Sequence, residues 1–101
     1  MPKYLVETYL ARSHSGHLTA LERRARLAAE AVSRQRTAVR FYESIHVPED
    51  EICFYVFDAA NAHDVADVAK RAGLGPIRVV EAIASRNSMT AQLVVRRRGR
   101  T

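Results

Sequence analysis

The chain has 101 residues, 48% of them hydrophobic and 27% charged, with only four glycines and three prolines. That composition excludes a disordered, collagen-like or low-complexity chain and suits one globular domain with most of its length in regular structure. No apolar run approaches the ~18 residues of a membrane span, no basic-then-apolar leader opens the chain, and the lone Cys53 cannot close an internal disulfide, so a cytoplasmic, reducing setting is expected.

The formal charge is +5, and it is not spread evenly. Arg86, Arg96, Arg97, Arg98 and Arg100 lie in a stretch, 86–101, that contains no acid, and together they equal the whole excess. A domain is therefore expected at 1–85 with no net charge, followed by a basic tail at 86–101. Such a tail would hold phosphate or an acidic partner only as a salt-sensitive tether.

Residues 3 to 10, rich in aromatic and β-branched side chains, read as a first strand that the Ser/His/Gly stretch 13–17 interrupts. From Leu18 the apolar positions Leu18, Leu21, Ala25, Ala28 and Val32 recur at spacings of three and four, the stripe of an amphipathic helix running to about Arg36. Thr19 with Glu22, or else Ser15, would cap its start. Residues 38–46 alternate as a strand, the Pro48-Glu49-Asp50 sequence turns the chain, and 52–58 forms the most apolar strand, so these two strands predict an antiparallel hairpin. Asn61 is a helix cap, Val65, Val68, Ala69 and Ala72 make the next stripe, and Gly73 ends it. A last strand runs from Ile77 to Ile83, and residues 92–95 would add an edge strand.

This order, β-α-β-β-α-β, is that of an α+β, ferredoxin-like domain. Right-handed crossovers place both helices on one face of a four-stranded antiparallel sheet, with the first and third strands central. The apolar set Val6, Phe41, Ile45, Phe54, Val56 and one of Val79 or Val80 is assigned to the helices. The alternating partners Glu7, Tyr9, Arg40, Tyr42, His46, Cys53, Tyr55 and Phe57 then form the uncovered face. An aromatic patch of that kind calls for a cover, most simply a second copy related by a two-fold axis. Glu7 and Arg40 would form a buried ion pair in that dimer, or would line a small-molecule cavity together with Tyr9, Tyr42, Cys53, Tyr55 and Phe57.

Chemistry-bearing patterns are few. His14 and His17 are three residues apart and, with His46, are the candidate ligands of a transition metal; Cys53 reads as a buried, inert thiol. There is no Gly-rich phosphate loop, paired carboxylate or nucleophile beside a base, so no catalytic residue is assigned; Glu7, if buried, is the first candidate for a general base. The same strand order builds RNA-recognition domains, and Tyr55 and Phe57 have the spacing of a stacking platform. Acids precede that strand and no basic residue does, which argues against nucleic acid except weakly through the tail.

Tyr4-Leu5-Val6-Glu7, Ser44-Ile45 before Pro48-Glu49-Asp50-Glu51, Cys53-Phe54, and Ala69 through Ala72-Gly73-Leu74 resemble a family of small bacterial ferredoxin-like domains of unknown function, one member of which binds nickel. The resemblance spans roughly residues 3 to 84 and implies a ferredoxin-like dimer with nickel as a possible cofactor. Where the nickel-binding member has adjacent histidines in its first strand, this chain has Thr8 and Tyr9. The expected function is that of a cytoplasmic homodimer binding a small ligand or a metal ion between or beside its sheets. An enzyme built around Glu7 in an inter-sheet cavity and a nucleic-acid binder are the alternatives.

Overall fold

The computed structural model describes residues 2–83, so the basic tail and the strand expected at 92–95 lie outside the described residues. The elements are β1 (Lys3–Tyr9), a 3-10 helix (Arg12–His17), α1 (Leu18–Gln35), β2 (Val39–Val47), a 3-10 turn (Pro48–Asp50), β3 (Ile52–Ala59), α2 (Ala62–Arg71) and β4 (Pro76–Ala82). The strands form one sheet in the order β2-β3-β1-β4, with every neighbouring pair antiparallel. This is the ferredoxin-like α+β arrangement expected from the element order, with β1 and β3 central.

α1 turns Ala25, Ala28, Ala29 and Val32 inward, and these small side chains let the helix approach the sheet closely. Its start is not capped by Thr19, Glu22 or Ser15. The 3-10 helix runs straight into it, and the Leu18 N–H donates to the Ser15 carbonyl. Glu22 instead accepts a hydrogen bond from the Ser44 hydroxyl on β2, which ties the helix to the sheet. α2 begins as expected, with the Asp64 N–H donating to the Asn61 side chain at 2.9 Å. It ends at Gly73 with φ +68, where the Leu74 N–H donates to the Ala69 carbonyl at 3.0 Å, satisfying a terminal acceptor. Arg24 of α1 donates through Nε to the Ala72 carbonyl at 2.8 Å and through Nη2 to that of Gly73 at 3.1 Å, binding the two helices together.

The helix-side core contains Tyr4 and Val6 of β1, Val39 and Phe41 of β2, and Cys53, Tyr55, Phe57 and Ala59 of β3, packed under both helices. A second apolar cluster, Leu5, Ile45, Val47, Phe54 and Val56, belongs to strands only. The expected faces are corrected in two strands, β3 and β2. Cys53, Tyr55 and Phe57 lie under the helices, whereas Ile45, Phe54 and Val56 lie on the other side. β3 is apolar on both sides, so alternation could not orient it; its pairing with β1 does, by setting Tyr55 opposite Val6. In β2 a bulge between Phe41 and Glu43 inserts one residue and reverses the phase, which sends Ile45 and Val47 away from the helices while Phe41 stays beneath them.

Candidate functional site

The strand-only cluster is the floor of the candidate site. Leu5, Ile45, Val47, Phe54 and Val56 are buried, and Ile52, Val80 and Ala82 pack against them partly exposed. Ion pairs edge this floor. On the β4 side, Arg78 Nε donates to Glu7 Oε1 at 2.8 Å; the carboxylate is buried and the guanidinium half-exposed. At the β2 side, Lys3 Nζ donates to Asp58 Oδ1 at 2.6 Å, and Arg40 Nε stands 3.8 Å from the other Asp58 oxygen. The bulge pushes Tyr42 out beside them, so that the Lys3 ammonium lies 4.6 Å and the Arg40 guanidinium 5.7 Å from its ring centroid.

At the far end of β1, the Tyr9 hydroxyl donates to Glu51 Oε1 at 3.3 Å, and the negative charge of Glu51 raises the pKa of this exposed phenol. Glu51 occupies the left-handed region with φ 53, uncommon for a residue with a Cβ. Its groups are all used in holding two segments together. The carboxylate accepts from the Arg12 N–H at 2.8 Å, and the main-chain oxygen from the Leu10 N–H at 2.8 Å.

Four of the expected site residues, Glu7, Tyr9, Arg40 and Tyr42, are on this face. Among the described residues Glu7 pairs with Arg78 and not with Arg40, because the β1–β4 register sets Glu7 opposite Arg78 while Arg40 sits opposite Asp58. Cys53, Tyr55 and Phe57 cannot line the site from the helix side. There, burial pushes the Cys53 thiol up to about 11 against an opposing pull from Tyr55, and burial together with the neighbouring Cys53 raises the Tyr55 phenol. That environment makes Cys53 a poor nucleophile and metal ligand. It also removes the two rings on which RNA stacking would depend.

The histidines are not gathered. His14 and His17 stack at 5.1 Å between centroids on the exposed 3-10 helix, whereas His46 pairs in register with Cys53 and turns Nε2 toward the Leu10 carbonyl at 3.4 Å. Among the described residues no group of three or more histidines, cysteines or carboxylates is arranged to hold a metal ion. Sequence reasoning missed Arg78 and the apolar floor. The available signal was the spacing Arg78, Val80, Ala82, one polar and two apolar residues at period two on a strand read only as hydrophobic. Away from this face, an open groove of about 530 Å³ runs between α1 and α2 past Arg24, Leu27, Ala31 and Arg71.

The chain matches no protein-family model and no curated protein. Among solved structures it is similar to a protein of Streptomyces coelicolor A3(2) known from its crystal structure, with a TM-score of 0.63 and 20% identity over 83% of this chain and 99% of that one. At that identity the likeness carries the fold alone, and it supports the ferredoxin-like architecture. Among the described residues no helix is long and apolar enough to cross a membrane.

Proposed function

We propose that the protein is a non-enzymatic binding module that works as a two-fold homodimer, the floor of one sheet meeting that of a second copy and holding a small ligand between them. The observation that supports this reading is the apolar cluster on the face opposite the helices, built from three strands and edged by Glu7–Arg78 and by Lys3, Asp58 and Arg40. An apolar centre with a charged rim is the composition of a protein–protein interface, and the same floor with a few converging polar groups is that of a small-molecule site. The ligand class that fits is a mostly apolar molecule with one polar group, because Glu7 and Arg78 offer an acceptor and donors side by side. A metal enters this reading only through the stacked His14 and His17.

Light scattering across a concentration series tests the dimer. The mass should rise from one chain to two as concentration increases, and Val80→Asp, which places a charge at a partly buried edge of the floor, should hold it at one. One chain's mass at every concentration would refute the dimer. Calorimetric titration with nickel tests the metal: the histidine pair predicts heat that is lost in a His14→Ala, His17→Ala variant, and no heat rejects it.

A further inference from the structure

We infer that the groove between α1 and α2, on the side of the molecule away from the sheet face discussed above and independent of its reading, docks an amphipathic helical segment of another protein whose apolar stripe is flanked by Asp and Glu. The groove has a volume of about 530 Å³, is open to solvent, and takes all its lining from α1 and the end of α2. Two features make it more than a seam between helices. The first is Leu27, which is 57% exposed; among the described residues it is the one exposed large apolar side chain on either helix. Beside it Ala28 and Ala31 keep the floor shallow, so that a further helix can approach closely enough to cover the leucine.

The second is Arg24, one turn earlier on α1. Gly73 has no Cβ, and this lets the guanidinium lie across the end of α2, where Nε donates to the Ala72 carbonyl at 2.8 Å and Nη2 to that of Gly73 at 3.1 Å. These bonds fix the group while using only part of its donor set. Carbonyls carry no formal charge, and among the described residues no carboxylate pairs with Arg24. A positive charge is thus held ready at the edge of an apolar floor, and its ordering cost is already met before a partner arrives.

Charge chooses the occupant. α1 and α2 carry six arginines and lysines against four acids, and three of those acids are engaged within the chain, Glu22 by Ser44 and both Asp64 and Asp67 by Arg36. A second copy meeting this groove about a two-fold axis would bring two positive surfaces together, and the acid-free stretch 86–101 has the same sign, so neither fits. A small ligand would leave much of its own surface in water in so open a groove. A helix satisfies its own backbone and can cover the Leu27 and Ala31 row along its length. The complementary partner sets an apolar side chain against Leu27 and a carboxylate one turn away on Arg24, where the hydrogen bond is charge-assisted.

The test titrates an amphipathic peptide of about 15 residues, made of Leu, Ala and Glu with its leucines at spacings of three and four, into the isotope-labelled full chain, beside a twin with Lys in place of Glu. The acidic peptide should produce saturable NMR shifts at the Ala28, Ala31 and Gly73 amides, and the Lys peptide should leave them unmoved. Leu27→Glu, at an exposed position and with an unchanged thermal midpoint, should weaken binding at least about tenfold. Arg24→Gln should weaken it and flatten its salt dependence. No saturable shift, shifts confined to the sheet face or to residues 86–101, an equal response to the Lys peptide, or unchanged affinity in Leu27→Glu would overturn the inference. Groove shifts that follow protein concentration without peptide would assign the groove to a second copy and overturn it as well.

Discussion

Replacing Phe57 by alanine asks which side of β3 faces the helices. The ring is fully buried, 5.4 Å from that of Phe41, over which the Arg26 guanidinium lies at 5.2 Å. Truncation leaves a ring-sized void between the sheet and two helices that Arg24 ties together, so the site cannot collapse easily. The expected loss is about 3–5 kcal/mol, against roughly 5–15 kcal/mol for the whole domain. With a urea dependence of about 1–1.5 kcal/mol per molar, the midpoint followed by circular dichroism should fall by ~2–5 M. Tyr9→Ala is the control, since that side chain is 62% exposed at the end of the opposite face, and it should cost no more than about 1 kcal/mol. Equal, small losses in the two variants would refute the helix-side position of Phe57 and with it the register of β3.

The thiol of Cys53, fully buried and pushed up to about 11, should not react with Ellman's reagent at pH 8 until urea unfolds the chain; rapid reaction of the native protein would contradict its placement. Gly73→Ala puts a Cβ at φ +68 and 3.1 Å from Arg24 Nη2, so it should destabilise by at least about 1 kcal/mol in thermal unfolding, and a neutral result would be inconsistent with this helix end. Asp64 accepts hydrogen bonds from Thr37 at 2.7 Å and Arg36 at 3.3 Å, and these, the Thr37 bond foremost, hold its carboxyl below the ordinary value of 3.8 despite its burial. Its contribution to stability is present above that value and is lost as pH falls below it. Asp64→Asn should therefore flatten the acid limb of the stability profile, and an unchanged limb would count against the network.

The helices were the most legible part of the sequence because their signals are local. Asn61 caps α2, Gly73 ends it, and the alanine-rich stripe of α1 needs no partner to be recognised. Topology followed from element order. Facing did not, and the reasons are particular to two strands. From Cys53 to Phe57 every side chain is apolar, so period two carries no sign, and only pairing with β1 chooses between the faces. In β2 the extra residue at the bulge reverses the phase between Phe41 and Ile45, which strict alternation cannot represent. Half of the site, Glu7, Tyr9, Arg40 and Tyr42, was readable because these polar or amphipathic residues interrupt apolar strands. Arg78 was hidden because it becomes meaningful only when β4 is laid beside β1 and places it opposite Glu7.

Isotope-filtered NMR on a mixture of labelled and unlabelled chains at high concentration tests most directly whether this face is the surface through which two copies meet. Cross-peaks between chains at the methyl groups of Leu5, Ile45 and Val56, and none at Val6 or Val65, are the expected result. Intermolecular cross-peaks confined to other residues, or none in a sample of dimeric mass, would contradict it.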